Sequence, residues 1–236
     1  AAGDYYIQDA GSMLALALCQ LSAGDWVCDV CAAPGGKATG GLEQLDGTGL
    51  LVANEVIGSR LGVLQQSLAR SGYANYLTMS REVDELADRL NDNFDCVIVD
   101  APCTGQTMVG RGKQVLAAYS PSQIEHSAAR QRRIVRAAAR LVAPGRQLVY
   151  STCAFSYAEN EQVVLDCLEE HPDWALREFP HLASWQSPSV AGCDRLWPHR
   201  DHCAGAFAAA LVRPGEQAAA DDRQTLATGE IGRAVV

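Results

Sequence analysis

Five short apolar runs separated by helical stretches constrain the fold of this chain more than any other feature. The runs cover residues 26–30, 50–53, 76–79, 96–99 and 147–150, and helical patterning fills 36–46, 58–71, 83–90 and 121–142. Strand–helix alternation requires crossover connections. It therefore predicts a doubly wound α/β fold, a mostly parallel central sheet with helices on both faces. In such sheets ligands sit beyond the carboxyl ends of the strands, so the residues just after each run are where chemistry is expected. The stretch 121–142 has its own grammar: Ser120 as N-cap, Pro121 as first helical residue, Gln123 completing a capping box and Pro144-Gly145 as the stop. Ile134, Ala138 and Leu141 recur at helical spacing on a sheet-facing stripe, and Arg133, Arg136 and Arg140 recur on another face.

Composition narrows the class. With 236 residues, 48% of them hydrophobic and 20% charged, the chain can bury a sizeable core, which excludes a disordered chain. Residues 1–215 are expected to form one domain, with 216–236 a loose tail. The longest apolar runs, 13–19 and Ala206–Val212, are too short to span a bilayer, and no basic segment opens a secretory signal. Nine cysteines without short regular spacing argue against a disulfide scaffold and for the reducing cytoplasm. The chain begins with Ala rather than Met, as expected of a piece of a longer protein.

Charge is unevenly distributed. The whole carries −9, yet residues 101–150 hold eight Lys or Arg against one acid, Glu125. Such a basic region beside a ligand edge can pair with phosphates, or it can be a solvated helix face.

Three clusters follow predicted strands. The first is Asp29-Val30-Cys31-Ala32-Ala33-Pro34-Gly35-Gly36-Lys37, where small residues lead into a helix N-terminus that favours an anionic group such as a carboxylate. It is not a phosphate-binding P-loop, because Cys31 and Ala38 stand where Gly and Ser or Thr are needed. Glu55, nineteen residues beyond Gly36, is placed to accept ribose hydroxyls, or it is an ordinary acid after a strand. The second cluster is Asp100-Ala101-Pro102-Cys103-Thr104-Gly105 and the third is Ser151-Thr152-Cys153. A thiol at either edge serves as a nucleophile if its pKa is lowered, or packs as a small hydrophobe. Cys28 and Cys31 have C-x-x-C spacing but no second pair, and Cys193, His199, His202 and Cys203 match no zinc spacing, so no metal is expected.

These clusters, as DVCAAPGGK, DAPCTG and YSTCA, stand in the order and spacing of the Sun-type (Fmu) RNA cytosine-5 methyltransferases, which the chain resembles over about residues 3–213. Tyr5-Tyr6-Ile7-Gln8-Asp9 with Ser12-Met13-Leu14, and Glu159-Asn160-Glu161, also resemble that family. The resemblance implies a Rossmann-like class I methyltransferase fold and S-adenosylmethionine as cofactor. It places Cys31, Ala32, Ala33, Pro34, Gly35, Gly36 and Lys37 at the methionine side, Glu55 on the ribose, Arg60 nearby and Glu82 at the adenine edge, where the family usually has Asp. It implies Cys153 as the thiolate that adds to carbon 6 of cytosine, and Asp100 near methyl donor and base, hydrogen-bonding ring nitrogen 3 as a proton donor. Cys103 is then the residue of the release step, and Lys37 a neighbour of base or cofactor. RNA is the implied partner, ribosomal RNA first and transfer RNA second, with its phosphates held by the Arg-rich stretch 130–140, Arg111 and Lys113. Three departures stand out: Thr104 for the commoner Ser, an unusual loop 106–114, and Gly205-Ala206-Phe207 for Gly-Phe-Phe.

Two rival readings make different use of the same residues. A DNA cytosine-5 methyltransferase would take its nucleophile from Pro102-Cys103. A cofactor-binding RNA assembly factor would do no methylation, although both cysteines and Asp100 are intact.

Overall fold

A computed structural model describes residues 7–216. Tyr5 and Tyr6 of the lead-in motif, and the expected tail from 217 onward, lie outside the described residues. The elements in chain order are α1 (Ala10–Cys19), β1 (Trp26–Asp29), α2 (Gly36–Leu45), β2 (Leu50–Asn54), α3 (Gly58–Ala69), β3 (Tyr76–Met79), α4 (Val83–Leu90) and β4 (Phe94–Asp100). They continue with α5 (Pro121–Ala139), β5 (Val142–Thr152), α6 (Glu161–Glu170), β6 (Ala175–Leu176), β7 (Cys193–Leu196), α7 (Pro198–Asp201) and β8 (Ala206–Val212). Short 3-10 turns at Gln106–Arg111, Leu116–Tyr119, Tyr157–Glu159 and Pro180–Trp185 fill the connections.

The strands form one sheet in the order β3-β2-β1-β4-β5-β8-β6, with β7 also paired to β8. The first five are mutually parallel, and β8 runs antiparallel to β5, β6 and β7. The expected doubly wound, mostly parallel sheet is thus present, and the order in which strands are added reverses between β1 and β4. Alternation sorts the strand residues onto two faces. Cys28, Val52, Val97, Val99, Leu148, Tyr150 and Phe207 pack against α4, α5 and α6. Val27, Leu51, Ala53, Ile98, Val149, Ala208 and Ala210 pack against α1, α2 and α3.

Two expectations need correction. The helix from Pro121 ends at Ala139, and Pro144-Gly145 lies inside β5 rather than stopping a helix. The register of β4 against β5 shifts there, and Gly145 has φ +73°, so the pair forms a bulge, the place where a strand tolerates proline. The capping box is not formed, since the Ser120 side chain caps no backbone N–H. The strands beyond residue 150 carry no alternation that single-sequence reading can separate. In β8, Ala206, Ala208 and Ala210 face α1 while Phe207, Ala209 and Leu211 face the other core.

The all-alanine face explains the Gly205-Ala206-Phe207 departure. The first turn of α1 lies close on Ala206, and a Cβ at Gly11 would stand 2.7 Å from the Ala206 Cβ and 3.2 Å from Asp9 Oδ1. Helix propensity favours Ala over Gly by about 1 kcal/mol, whereas overpacking a closed contact costs about 1–3 kcal/mol. Gly11→Ala is therefore expected to lower the melting temperature. An unchanged or raised value would show that α1 can retreat from β8 without cost.

Candidate active site

The three clusters meet at the carboxyl edge of the parallel strands, around a cleft of about 670 Å³. That volume lies within the range of about 300–1,000 Å³ typical of small-molecule sites. Cys31, Ala33, Pro34, Lys37, Glu55, Arg60, Glu82, Asp100, Cys103 and Cys153 all line it. Ala32, Gly35 and Gly36 complete the β1–α2 loop behind the lining. Gly35 has φ +111°, and a Cβ there would stand 2.8 Å from the Ser67 side chain, so the turn requires glycine.

At one end of the cleft Glu55 is buried after β2. Its Oε1 accepts from the Ile57 amide at 2.9 Å, and Oε2 faces the Arg60 guanidinium at 3.1 Å. Arg60 also donates to the Ala33 carbonyl at 2.7 Å and so ties the β1 loop to the β2 loop. A carboxylate has about four acceptor sites, so Glu55 keeps capacity for further donors. Val56 and Ile57 leave exposed apolar side chains on the same rim.

At the other end stand the two thiols. Cys103 and Cys153 Sγ atoms are 3.1 Å apart, and both cysteines are free. The hydrogen bond between them, in which either sulfur can donate, holds the Cys153 pKa below its ordinary value, against burial and Asp100, with help from Thr107 and Lys37. The same bond, together with burial, pushes Cys103 well up. Cys153 is therefore the thiol that ionises first. Lys37 Nζ lies 2.8 Å from Asp100 Oδ2, and Ser151 Oγ donates to Asp100 Oδ1 at 3.1 Å. Burial pulls the Lys37 ammonium down, but Asp100 more than compensates, and its pKa lies above the ordinary value.

The Arg-rich face is reassigned. Arg136 pairs with Glu170 of α6, Arg140 with Asp88 of α4, Arg132 with Asp166 and Arg146 with Asp95. The first three pairs tie α5 to α4 and α6, and the last joins β5 to β4. Only Arg130 and Arg133 of the 130–140 stretch front the cleft, and the Arg130 Nε is buried without a hydrogen-bond partner. Arg111 also lines it and pairs with Asp9 at 3.2 Å, while Lys113 is exposed beside it. Cys28 is fully buried in the sheet, away from the cleft that Cys31 lines.

Several residues at the site escaped sequence reasoning. Gln106 accepts from the Phe155 and Ser156 amides at 2.7 and 3.0 Å, joining the loops after β4 and β5. Gln131 is fully buried beside Cys103. Its signal was a polar residue on the apolar stripe of α5, three positions before Ile134. Thr107 carried no signal of its own.

A parallel sheet in 3-2-1-4-5 order, an antiparallel strand beyond β5 and a cleft across the β1/β4 switch define a Rossmann-like class I methyltransferase fold. A SAM-dependent O-methyltransferase from Thermotoga maritima shares it at TM-score 0.55 and 14% identity, covering 91% of this chain and 69% of that one. The chain belongs to the 16S rRNA methyltransferase RsmB/F family, whose profile matches residues 15–212. Ribosomal RNA small subunit methyltransferase F of Erwinia tasmaniensis is 35% identical in an alignment of 217 residues that covers 89% of this chain and 45% of that protein. NSun6 from Pyrococcus horikoshii, solved with SFG, superimposes at TM-score 0.80 with 28% identity, covering 91% of this chain and 54% of its own. The chain thus spans about half the length of the curated relatives it matches.

One buried acid sets a pH dependence. Asp29, at the end of β1, is 1% exposed, and its Oδ2 has no hydrogen-bond partner. Burial pushes its pKa up to about 7 from 3.8, with Asp100 adding to the rise. The folded state therefore holds the proton more tightly than the unfolded chain. The stability this gives is complete below about pH 4 and is lost as pH rises through about 7. Asp29→Asn is expected to stabilise the fold relative to the unsubstituted chain increasingly between these limits, by at most about 4 kcal/mol at pH 8. Urea midpoints across that range check it, and parallel curves for the two proteins would contradict it.

Proposed function

We propose that this chain, as the catalytic domain 1–215, transfers a methyl group from S-adenosylmethionine to carbon 5 of a cytosine in RNA, acting in the cytoplasm. Small-subunit ribosomal RNA is the preferred substrate and transfer RNA the second. The observation that carries this reading is the pair of thiols 3.1 Å apart, with Cys153 ionising first, beside the Lys37–Asp100 pair. The names of the relatives, which are ribosomal RNA small subunit methyltransferases, support the substrate. NSun6 was solved with the SAM analogue SFG, which supports the cofactor.

The residues present fit S-adenosylmethionine, which supplies an electrophilic methyl group when bound. The loop Cys31–Lys37 would hold its methionine part, Glu55 the ribose hydroxyls, and Glu82 with the apolar rim of Val56 and Ile57 the adenine. Arg60 fixes Glu55 and the loop relative to each other.

Carbon 5 of cytosine is a poor nucleophile. Addition of the Cys153 thiolate to carbon 6 would make the ring enamine-like and carbon 5 nucleophilic enough to accept the methyl group, with S-adenosylhomocysteine as the leaving group. Asp100 is the partner of ring nitrogen 3 and donates a proton there, which the adjoining Lys37 ammonium can supply. Loss of the carbon 5 proton to a base then expels the Cys153 sulfur and restores the ring. Cys103, in contact with that sulfur, serves this release. The base must leave its stack to meet Cys153, at a cost of a few kcal/mol. Arg130 and Arg133 are placed for the flanking phosphates, which position RNA without reading sequence.

Against the DNA-type reading, Cys103 is the thiol that holds its proton more tightly and is less available as a thiolate. Cys153→Ala is expected to lower methyl transfer by about 10³-fold or more. Cys103→Ala is expected to accumulate a protein–RNA adduct that survives denaturation and vanishes in Cys103→Ala/Cys153→Ala. An adduct on DNA, or one persisting in the double variant, would overturn this assignment of roles to the two cysteines.

A further inference from the structure

The thiol separation is fixed from behind the cleft by a tripeptide that the mechanism does not use. Glu159 is fully buried. Its Oε1 accepts from the Thr104 amide at 2.9 Å and from Gln131 Nε2 at 3.2 Å, and its Oε2 accepts from the Thr104 hydroxyl at 2.7 Å. Gln131 Nε2 also donates to the Pro102 carbonyl at 3.1 Å. Both neighbours of Cys103 are therefore held by one buried network centred on a carboxylate. This is the use of the hydroxyl that Thr104 keeps.

The next residue does the same for the other thiol. Asn160 Oδ1 accepts from the Thr152 hydroxyl at 2.5 Å, and Asn160 Nδ2 donates to the Ala154 carbonyl at 2.9 Å. Both neighbours of Cys153 are held by that one amide. Glu161 then anchors the segment, accepting from Arg195 Nε and from the Ser187 hydroxyl at 2.6 Å each. Arg195 also donates to the Phe155 carbonyl at 3.2 Å. Three consecutive residues thus hold the Cys103 loop, the Cys153 loop and β7.

We propose that Glu159 and Asn160 are positioning residues that set the Cys103–Cys153 separation, one gripping each loop, and so govern release of the methylated base. The consequence for release rests on the role given to Cys103 above, while the consequence for geometry does not. Adjacent residues of a rigid chain cannot drift apart, so the two loops keep their spacing when RNA enters. Charged acceptors make the stronger hydrogen bonds, which suits Glu for the network that bears three donors.

The test reads thiol geometry without RNA. Treatment with diamide joins the two sulfurs: both thiols are oxidised to one S–S bond, and the azo group takes up the two hydrogens. Mass mapping of the Cys103–Cys153 peptide pair gives the rate. Glu159→Ala is expected to slow this crosslink by about tenfold or more, as small misplacements of reacting groups do. Glu159→Gln keeps an acceptor for the Thr104 amide and presents an NH₂ to the Thr104 oxygen, so it should restore the rate. If Glu159→Ala fails to fold, Thr104→Val removes one arm at constant volume and should slow the crosslink to a lesser degree. A Glu159→Ala protein of lowered melting temperature that crosslinks at the unsubstituted rate overturns the inference, as does an unchanged rate in Thr104→Val when Glu159→Ala cannot be made. In cells, Glu159→Ala should accumulate the same RNA adduct as Cys103→Ala. An adduct with Cys103→Ala but not with Glu159→Ala overturns the link to release alone. No adduct with Cys103→Ala overturns the functional reading, and the crosslinking rates still decide the positioning role.

Discussion

The parallel pairing of β4 with β5 is the constraint on which the site depends. In that register Asp100 lies opposite Ser151. Both strands end at the same edge, so Cys103 leaves three residues after Asp100 and Cys153 two residues after Ser151, and their sulfurs meet. A one-residue slip would turn one strand's side chains to the opposite face and separate Asp100 from Ser151. The bulge at Pro144-Gly145 lies before the register that matters, which resumes at Cys96↔Gln147 and runs unbroken to the edge. Irregularity is tolerated at the closed end of the sheet, and order is kept at the open end.

The electrostatics follow from the same edge. Asp29, Glu55 and Asp100 end or follow adjacent strands and would repel one another in a poorly solvated cleft. Lys37 answers Asp100 and Arg60 answers Glu55, while Asp29 yields by holding its proton. Within the thiol pair the same logic favours ionisation of Cys153 over Cys103, because Cys153 feels both the Cys103 thiol and the Lys37 ammonium. The acidic chain as a whole and its basic middle are compatible, because Arg111, Arg132, Arg136, Arg140 and Arg146, five of its eight cations, are engaged in ion pairs within the fold. Arg130 and Arg133 make no ion pair among the described residues and remain facing the cleft.

The five parallel strands and their helices were legible because each strand is a short apolar run between patterned helices. The strand spanning 76–79 and the helix spanning 83–90 were read with their observed limits. Residues lining the cleft were legible because they follow strands and carry reactive groups. What escaped was set by tertiary contact. Strand β6 has two residues, and β8 is nearly all small and apolar, so neither shows a period. The Ser120 capping box failed because its sequence signature does not fix where the serine hydroxyl points. Arg136 and Arg140 looked like a free cationic face because their partners Glu170 and Asp88 lie 34 and 52 residues away in the chain. Glu159 and Gln131 carry polar atoms whose importance comes from burial, which spacing alone does not reveal.

The central claim is that Cys153 is the sulfur that bonds to the pyrimidine. The most direct measurement uses substrate RNA carrying 5-fluorocytidine, whose carbon 5 fluorine cannot leave as the proton does, so the thioether at carbon 6 persists. After digestion of protein and RNA, mass spectrometry locates the nucleotide on a peptide. The account predicts a methylated fluoropyrimidine on Cys153, with Cys103 unmodified. A nucleotide found on Cys103 would contradict it.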